Sequence, residues 1–271
     1  MNDVTTKILD GTSYAPVGRC IYCGATGELE KEHILPFGLS GTATLPKSSC
    51  RTCAQITGSF EQTVLRGPFQ PVRVYRDLKS RSKHRDAPKT LPLTFVRDGR
   101  EHTIDLKIDE YPTLLHFPIF APPVYLTGNT EYKSGILVSG ITSVLFGPRP
   151  DDVAKSLGAS EVKITADSQP VAFARMIAKI AYAFAFAEGA IDDIEGAPFV
   201  LPSILGTADD IGRYVGTLTK PIETYVGQLH QIVIHYEKEK GLLRTEVRLF
   251  ADSETPSYGV ILGTLKHDKT E

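Results

Sequence analysis

Four cysteines, and only four, occur in this 271-residue chain, and they come as two pairs. Cys20-Ile-Tyr-Cys23 is followed, after 26 intervening residues, by Cys50-Arg-Thr-Cys53. A two-residue gap lets each pair present both thiolates from one tight turn. Two such pairs close tetrahedrally on a single ion, which is the ligand pattern of a structural Zn2+ site. The competing reading is two disulfides, for which this spacing is a poor framework. The segment between the pairs must then return on itself as a hairpin. Within it lies Glu32-His33-Ile34-Leu35-Pro36, the only acid–histidine pair inside the knot.

Length and charge bound the rest. A chain of this size forms one large or two modest domains, and 41% hydrophobic residues suffice for a buried core. The net charge of −2 conceals a division: residues 1–85 hold 12 Lys/Arg against 7 Asp/Glu, whereas residues 86–271 hold 18 against 25. A basic front and an acidic back direct any polyanion to the front. The first residues, Met1 to Lys7, lack the apolar run of a secretory signal. The most apolar stretch, 170–190, is interrupted by Arg175 and Lys179. The expectation is a soluble cytoplasmic protein with no membrane partner. In such a reducing compartment paired thiols favour metal over disulfides.

The residues around the histidine narrow the chemistry. Cys20-Ile-Tyr-Cys23-Gly24, Glu32-His33-Ile34-Leu35-Pro36, Gly38, Gly41 and Leu45-Pro46-Lys47-Ser48-Ser49-Cys50-Arg51-Thr52-Cys53 together resemble the HNH endonucleases, in a zinc-stapled branch with the pattern C-x2-C, E-H-I-x-P, C-x2-C. The likeness extends more loosely through Gly58, Phe60-Glu61 and Leu65-Arg66, and covers residues 18–75. It implies a ββα-metal fold, two strands and a helix clasping one divalent ion beside the scissile phosphate. His33 falls on the family's general base, the imidazole that deprotonates the attacking water. A side chain with an ordinary pKa near ~6.5 suits that role. Glu32 falls on the acidic position that ligates the catalytic metal, a hard Mg2+ or Mn2+ that takes oxygen ligands and stabilises the leaving oxygen. Adjacent strand residues point to opposite faces, so Glu32 and His33 share a site only where the strand ends or bulges.

The pattern departs from the family at two places. Ala54 stands where an Asn or His ligand follows the last cysteine, and residues 44–49 lack the central asparagine. The run 54–66 is expected to be helical, with positions 54, 57, 58 and 61 on one face. Thr57 and Glu61 stand there, and Glu61 is the better replacement ligand. Without it, the domain is a catalytically silent relic.

Beyond the helix, Arg66, Arg73, Arg76, Lys79, Arg81, Lys83, His84, Arg85 and Lys89 face only Asp77 and Asp86. Such a run makes salt-sensitive, sequence-blind phosphate contacts; its bland counterpart is a solvated linker. The stretch 80–88 also marks a boundary. The expected fold class is α+β. Residues 1–85 form the HNH-like zinc domain, and 86–271 a C-terminal α+β domain with a long core helix and antiparallel strands.

In that second part, alternating Leu91, Leu93, Phe95 and Ile104, Leu106, Ile108 flank Asp98-Gly99 as a hairpin. Further strands are expected at 113–119, 123–127, 135–145, 229–237, 242–250 and 258–264. A helix from Pro170 to Glu188, capped by Ser168 or Asp167, supplies the core, and a short helix follows near 208–215. Arg175 and Lys179 share one face of the long helix and read either as a pair that neutralises a phosphate or, more commonly, as snorkelling cations at a domain edge. His230 and His235 fall on opposite faces of one strand, which excludes a joint metal site.

Two functions follow. One is a metal-dependent endonuclease acting on DNA, a chemistry that accommodates RNA as well. It carries structural Zn2+ at Cys20, Cys23, Cys50 and Cys53, and catalytic Mg2+ or Mn2+ at Glu32 and Glu61, with His33 as base. Phosphate contacts come from Arg66, Arg73, Arg76, Lys79, Arg81, Lys83 and Arg85. A homo-oligomer or a partner from a defence system is compatible with the resemblance. The other is an inactive zinc module that binds nucleic acid or protein.

Overall fold

The computed structural model describes residues 3–6, 11–78, 88–164, 168–219 and 228–266. In chain order the elements are β1 (Asp3–Thr6), β2 (Leu29–His33), β3 (Thr44–Cys50), α1 (Arg51–Arg66), α2 (Gln70–Tyr75), β4 (Thr90–Arg97), β5 (Arg100–Lys107) and β6 (Leu114–Phe120). They continue with α3 (Val124–Thr127), β7 (Val138–Leu145), α4 (Pro150–Ser156), β8 (Glu161–Lys163), α5 (Pro170–Ala187), α6 (Leu201–Leu205), β9 (Val215–Thr217), β10 (His230–Glu237), β11 (Leu242–Leu249) and β12 (Ser257–Thr264). The class is α+β, with every named sheet antiparallel.

The largest sheet has the order β1-β10-β11-β12-β9. One face carries Ile232 and Ile234 of β10, Leu243, Val247 and Leu249 of β11, and Tyr258, Val260 and Leu262 of β12, all in one buried cluster. This is the period-2 alternation of a sheet that hides one side. Helix α5 lies on that face and also packs against α1. It is apolar round most of its circumference, as a helix packed between two layers must be, with Arg175 and Lys179 on one stripe. Alanines at 174, 178, 181, 183 and 185, all fully buried, let its neighbours approach closely. Its length and hydropathy would also suit a membrane span, but 67% of it is buried inside the protein. The buried cluster runs without a break from Cys20, Ile34, Leu45 and Phe60 through Phe173 and Ile177 to Val247 and Leu262. It therefore crosses from the cysteine-bearing segment into the large sheet. A separate small cluster, Leu93, Leu106 and Val153, lies beneath the β5-β4-β8 sheet.

Several expectations are met closely. β4 and β5 form the Asp98-Gly99 hairpin, with both turn residues at positive φ, 53° and 70°, the conformation of a two-residue type I′ turn. The three C-terminal strands and the long helix also stand where the pattern put them. Others need correction. Residues 124–127 are a helical turn between Pro123 and the left-handed Gly128, because Pro fixes the entry and Gly the exit. Around 208–215 only a 3-10 turn at Ile211–Arg213 forms, and the helix of that region is α6. Gln169, not Ser168, occupies the N-cap of α5 and makes no side-chain cap bond; Asp167 lies outside the described residues. Lys179 does not snorkel: it is fully buried.

Candidate metal centre and the acid pair beside it

β2 and β3 pair as a hairpin that runs straight into α1, and both cysteine pairs hang on it. Cys50 ends β3 and caps α1, and Cys53 lies in the first helical turn. The first pair sits in a loop held by backbone bonds from Val17, Gly18 and Ile21 N–H to the carbonyls of Pro46, Lys47 and Ser48, at 2.9, 2.9 and 2.8 Å. Those carbonyls are free to accept because the β2–β3 register shifts between Glu30 and Glu32, and Lys47 takes a left-handed φ of 49°. The irregularity of the strand is thus what seats the loop. Within the loop, Gly24 at φ 76° closes a turn onto the Cys20 carbonyl at 2.9 Å.

All four Sγ atoms lie within 4.8 Å of one another, and Cys23 and Cys50 stand 3.7 Å apart. Tetrahedral thiolates about 2.3 Å from one zinc are separated by roughly 3.8 Å, so the set fits zinc, and the thiols are free rather than paired as disulfides. The backbone N–H of Cys53 lowers the Cys50 thiol to about 7, favouring the thiolate that a metal needs. Cys20 and Cys53 are buried while Cys23 is exposed, so the cluster opens to solvent on one side.

The second anionic cluster is buried. Glu32, on β2, and Glu61, about three helical turns into α1, converge as the helical spacing led one to expect. What they converge on is the ammonium of Lys179, from the middle of α5. Lys179 Nζ is 2.6 Å from Glu32 Oε1 and 2.9 Å from Glu61 Oε1, and it donates to the backbone carbonyl of His33. The lysine side chain is wholly inaccessible. Burial alone would push its pKa down, but the carboxylates of Glu32 and Glu61 more than offset this and hold it above the ordinary lysine value. Tyr22, between Cys20 and Cys23 in sequence and near enough to Glu32 and Glu61 to feel their charges, is 4% exposed. Its hydroxyl has no hydrogen-bond partner among the described residues. Burial, then the charges of Glu32 and Glu61, raise its pKa and keep it a phenol.

A hydrated Mg2+ demands six oxygens at about 2.0–2.1 Å. Here an ammonium already sits against both carboxylates, and a second cation within bonding distance of it meets direct repulsion. The acid pair as it stands therefore does not fit the divalent ion that the resemblance implies at Glu32 and Glu61.

His33 ends β2 opposite Thr44, with its ring half-buried and edge-on to Phe37 at 5.8 Å between centroids. Glu32 beside it is buried. Thr57 is buried and bonds the Ala54 carbonyl at 3.4 Å. Of the expected phosphate-binding cations, Arg66 is exposed at the end of α1. Arg73 is engaged internally, donating to the carbonyls of Gly38 at 2.7 Å and Leu65 at 2.8 Å. Arg76 pairs with Asp252 at 2.6 Å and lies over the Phe146 ring at 5.0 Å. These contacts tie elements of the fold together. Lys79, Arg81, Lys83 and Arg85 lie outside the described residues. His230 and His235 do diverge: His230 Nε2 donates to Leu39 O at 2.9 Å, and His235 approaches Glu246 at 3.4 Å.

Sequence reasoning missed Lys179, Tyr22 and Tyr182, whose hydroxyl donates to the Ile21 carbonyl. Arg175, Lys179 and Tyr182 form one stripe along α5, and the hairpin, α1 and the first cysteine loop rest on it. Arg175 stacks over Phe60 at 4.8 Å and donates to Ile204 O at 2.7 Å. No local signal marked Lys179 as internal: a buried lysine must be paired, but with Arg175 one turn before it the sequence reads equally as a snorkelling cation.

No family model, no curated protein and no solved structure matches this chain.

Proposed function

We propose that this chain hydrolyses nucleic-acid phosphodiester bonds on a zinc-stapled ββα module, with His33 as the general base. The observation that carries the reading is the hairpin running directly into α1 with the cysteine knot at the junction and the His33 ring half-open at the strand end. In this reading Zn2+, when bound at Cys20, Cys23, Cys50 and Cys53, fixes the loop, the strand end and the helix start as one unit. The His33 imidazole takes a proton from the attacking water. Its backbone is held by Lys179, so the acid pair serves to position the strand end. DNA is the expected substrate, with Lys79, Arg81, Lys83 and Arg85 supplying phosphate contacts.

A second reading, a catalytically silent zinc module that binds nucleic acid, is favoured by Ala54 and by the Lys179 contacts to Glu32 and Glu61. Plasmid nicking by the zinc-loaded protein, with and without added Mg2+ or Mn2+, separates the two. Cleavage that vanishes in His33→Ala while zinc content and circular dichroism stay unchanged supports the hydrolase. Salt-sensitive DNA binding without cleavage, unaltered in His33→Ala, supports the silent module.

A further inference from the structure

We propose that Lys179 is the resident cation of the Glu32–Glu61 pair, a covalently tethered ammonium in the place of a divalent ion, so that the chain takes one metal at its cysteines and none at its acids. This stands apart from whether His33 performs chemistry.

Stereochemistry is the first support. An ammonium has three N–H donors and no acceptor. Three oxygens lie around Nζ: those of Glu32 and Glu61 in ion-pair contact at 2.6 and 2.9 Å, and the His33 carbonyl, which accepts a hydrogen bond from it. They come from a strand, a helix and the strand's last peptide, so the lysine gathers the elements that a metal would otherwise gather. Tethering is the second support. Lys179 sits mid-helix between Ala178 and Ile180, both fully buried, on a helix that packs against both the large sheet and α1. Its side chain cannot leave for water unless the helix undocks, so it is no removable plug. The third support is what surrounds it. Ala54, at the position where the resemblance implies a further ligand, offers no ligand atom. The device trades an exchangeable ion for one that chelators cannot extract, and it makes the hairpin depend on α5.

The test uses the full-length, zinc-loaded protein and Mn2+ as the probe, with bound ion counted by electron paramagnetic resonance. Wild type is expected to show no Mn2+ binding that depends on Glu61: Glu61→Gln and wild type give the same titration. Lys179→Ala, which removes the ammonium and leaves both carboxylates, is expected to gain one Mn2+ per chain at least about tenfold tighter than wild type. Lys179→Ala/Glu61→Gln should lose it again. One Mn2+ per wild-type chain, weakened tenfold or more by Glu61→Gln, overturns the proposal. So does a folded Lys179→Ala that gains no site, since the lysine would then not stand in a metal's position. Where Lys179→Ala does not fold, the wild-type and Glu61→Gln titrations decide alone. Nuclease activity enters none of these readouts, so the proposal and the hydrolase reading fail separately.

Discussion

The cysteine knot and the acid pair are two anionic clusters on the same hairpin and helix, and they are neutralised by opposite means. The thiols come from residues 20 to 53, stand within 4.8 Å of one another, and face solvent at Cys23. A zinc ion, which this set of thiols fits, would arrive and depart through that opening. The carboxylates of Glu32 and Glu61 close on a side chain that is wholly buried and whose contact with His33 spans 146 residues of sequence. Their partner arrives only when α5 docks. The difference teaches that solvent access decides the cation: an open cluster takes metal from solution, and a sealed one must be supplied by the chain.

The comparison breaks most visibly at the knot. Cys53→Ser, or removal of zinc by a chelator, should abolish zinc binding and cost several kcal/mol, because structural zinc supplies about 10 kcal/mol or more of apparent binding free energy in zinc-finger peptides. Zinc content by mass spectrometry and urea unfolding test this together. An unfolding curve unchanged by zinc removal would strip the knot of its structural role.

Next in size is Lys179→Met. Removing one partner of a buried ion cluster costs about 3–5 kcal/mol, because the remaining charges stay buried without compensation. Replacing Glu32, Glu61 and Lys179 together by apolar residues of similar volume should recover most of that loss. Urea unfolding of the single and triple variants gives both numbers. The pH dependence has a definite sign. The folded-state pKa of Lys179 is raised above its ordinary 10.5, so its stabilisation is fully present below that value and is lost only as pH climbs through the higher folded value. A Lys179→Met cost that shrinks near neutral pH would contradict a bound ammonium.

What could be read in advance follows the same division. The four cysteines, the hairpin between them and the helical placement of Glu61 are consequences of short-range spacing, and they were legible. The Asp98-Gly99 turn and the three C-terminal strands were legible for the same reason, since turn chemistry and period-2 alternation are local signals. Lys179 was not. Four residues after Arg175, it resembled one of a pair of long cations leaning to solvent from an apolar helix. Only the docking of α5 under the hairpin makes it internal. Arg73 and Arg76 depend on packing likewise: a run of cations in sequence looks like a phosphate surface, and which of them are engaged by the fold itself is settled by tertiary contacts. Residues 124–127 went the other way, with an apolar run taken for a strand although Pro and Gly at its two ends admit only a single helical turn.

A neutral tie between the same regions sharpens the contrast. His230, at the start of β10, donates to Leu39 O and accepts from Phe250 N–H at 3.2 Å, and burial lowers its pKa to about 4. The folded value lies below the ordinary 6.5, so between those limits the unfolded chain takes up a proton that the native protein refuses. Stability should therefore fall as pH drops from about 6.5 to about 4, by at most about 1.4 kcal/mol per pH unit from this group. His230→Gln keeps a donor for Leu39 and cannot titrate. Its stability, measured by urea unfolding against pH, should lack that part of the slope. Parallel profiles for the two proteins would mean that His230 is not held neutral.

The smallest effect belongs to Arg76 and Asp252. This pair also ties the front of the chain to the end of the large sheet, with a contact of 2.6 Å as short as that between Lys179 and Glu32. Its side chains are 25% and 34% exposed, whereas Lys179 is at zero. Water and salt therefore screen it, and such pairs contribute about 0.2–1 kcal/mol. The Phe146 face beneath the guanidinium adds a share that salt leaves largely intact. Asp252→Asn should cost under about 1 kcal/mol in dilute buffer and less in 1 M NaCl, where the screening length is about 3 Å. The cost of Lys179→Met should not move with salt, because no ion reaches it. Equal costs for the two variants, or equal salt dependence, would show that charge alone sets these ties. Burial would then not be what separates a permanent internal cation from an ordinary surface pair.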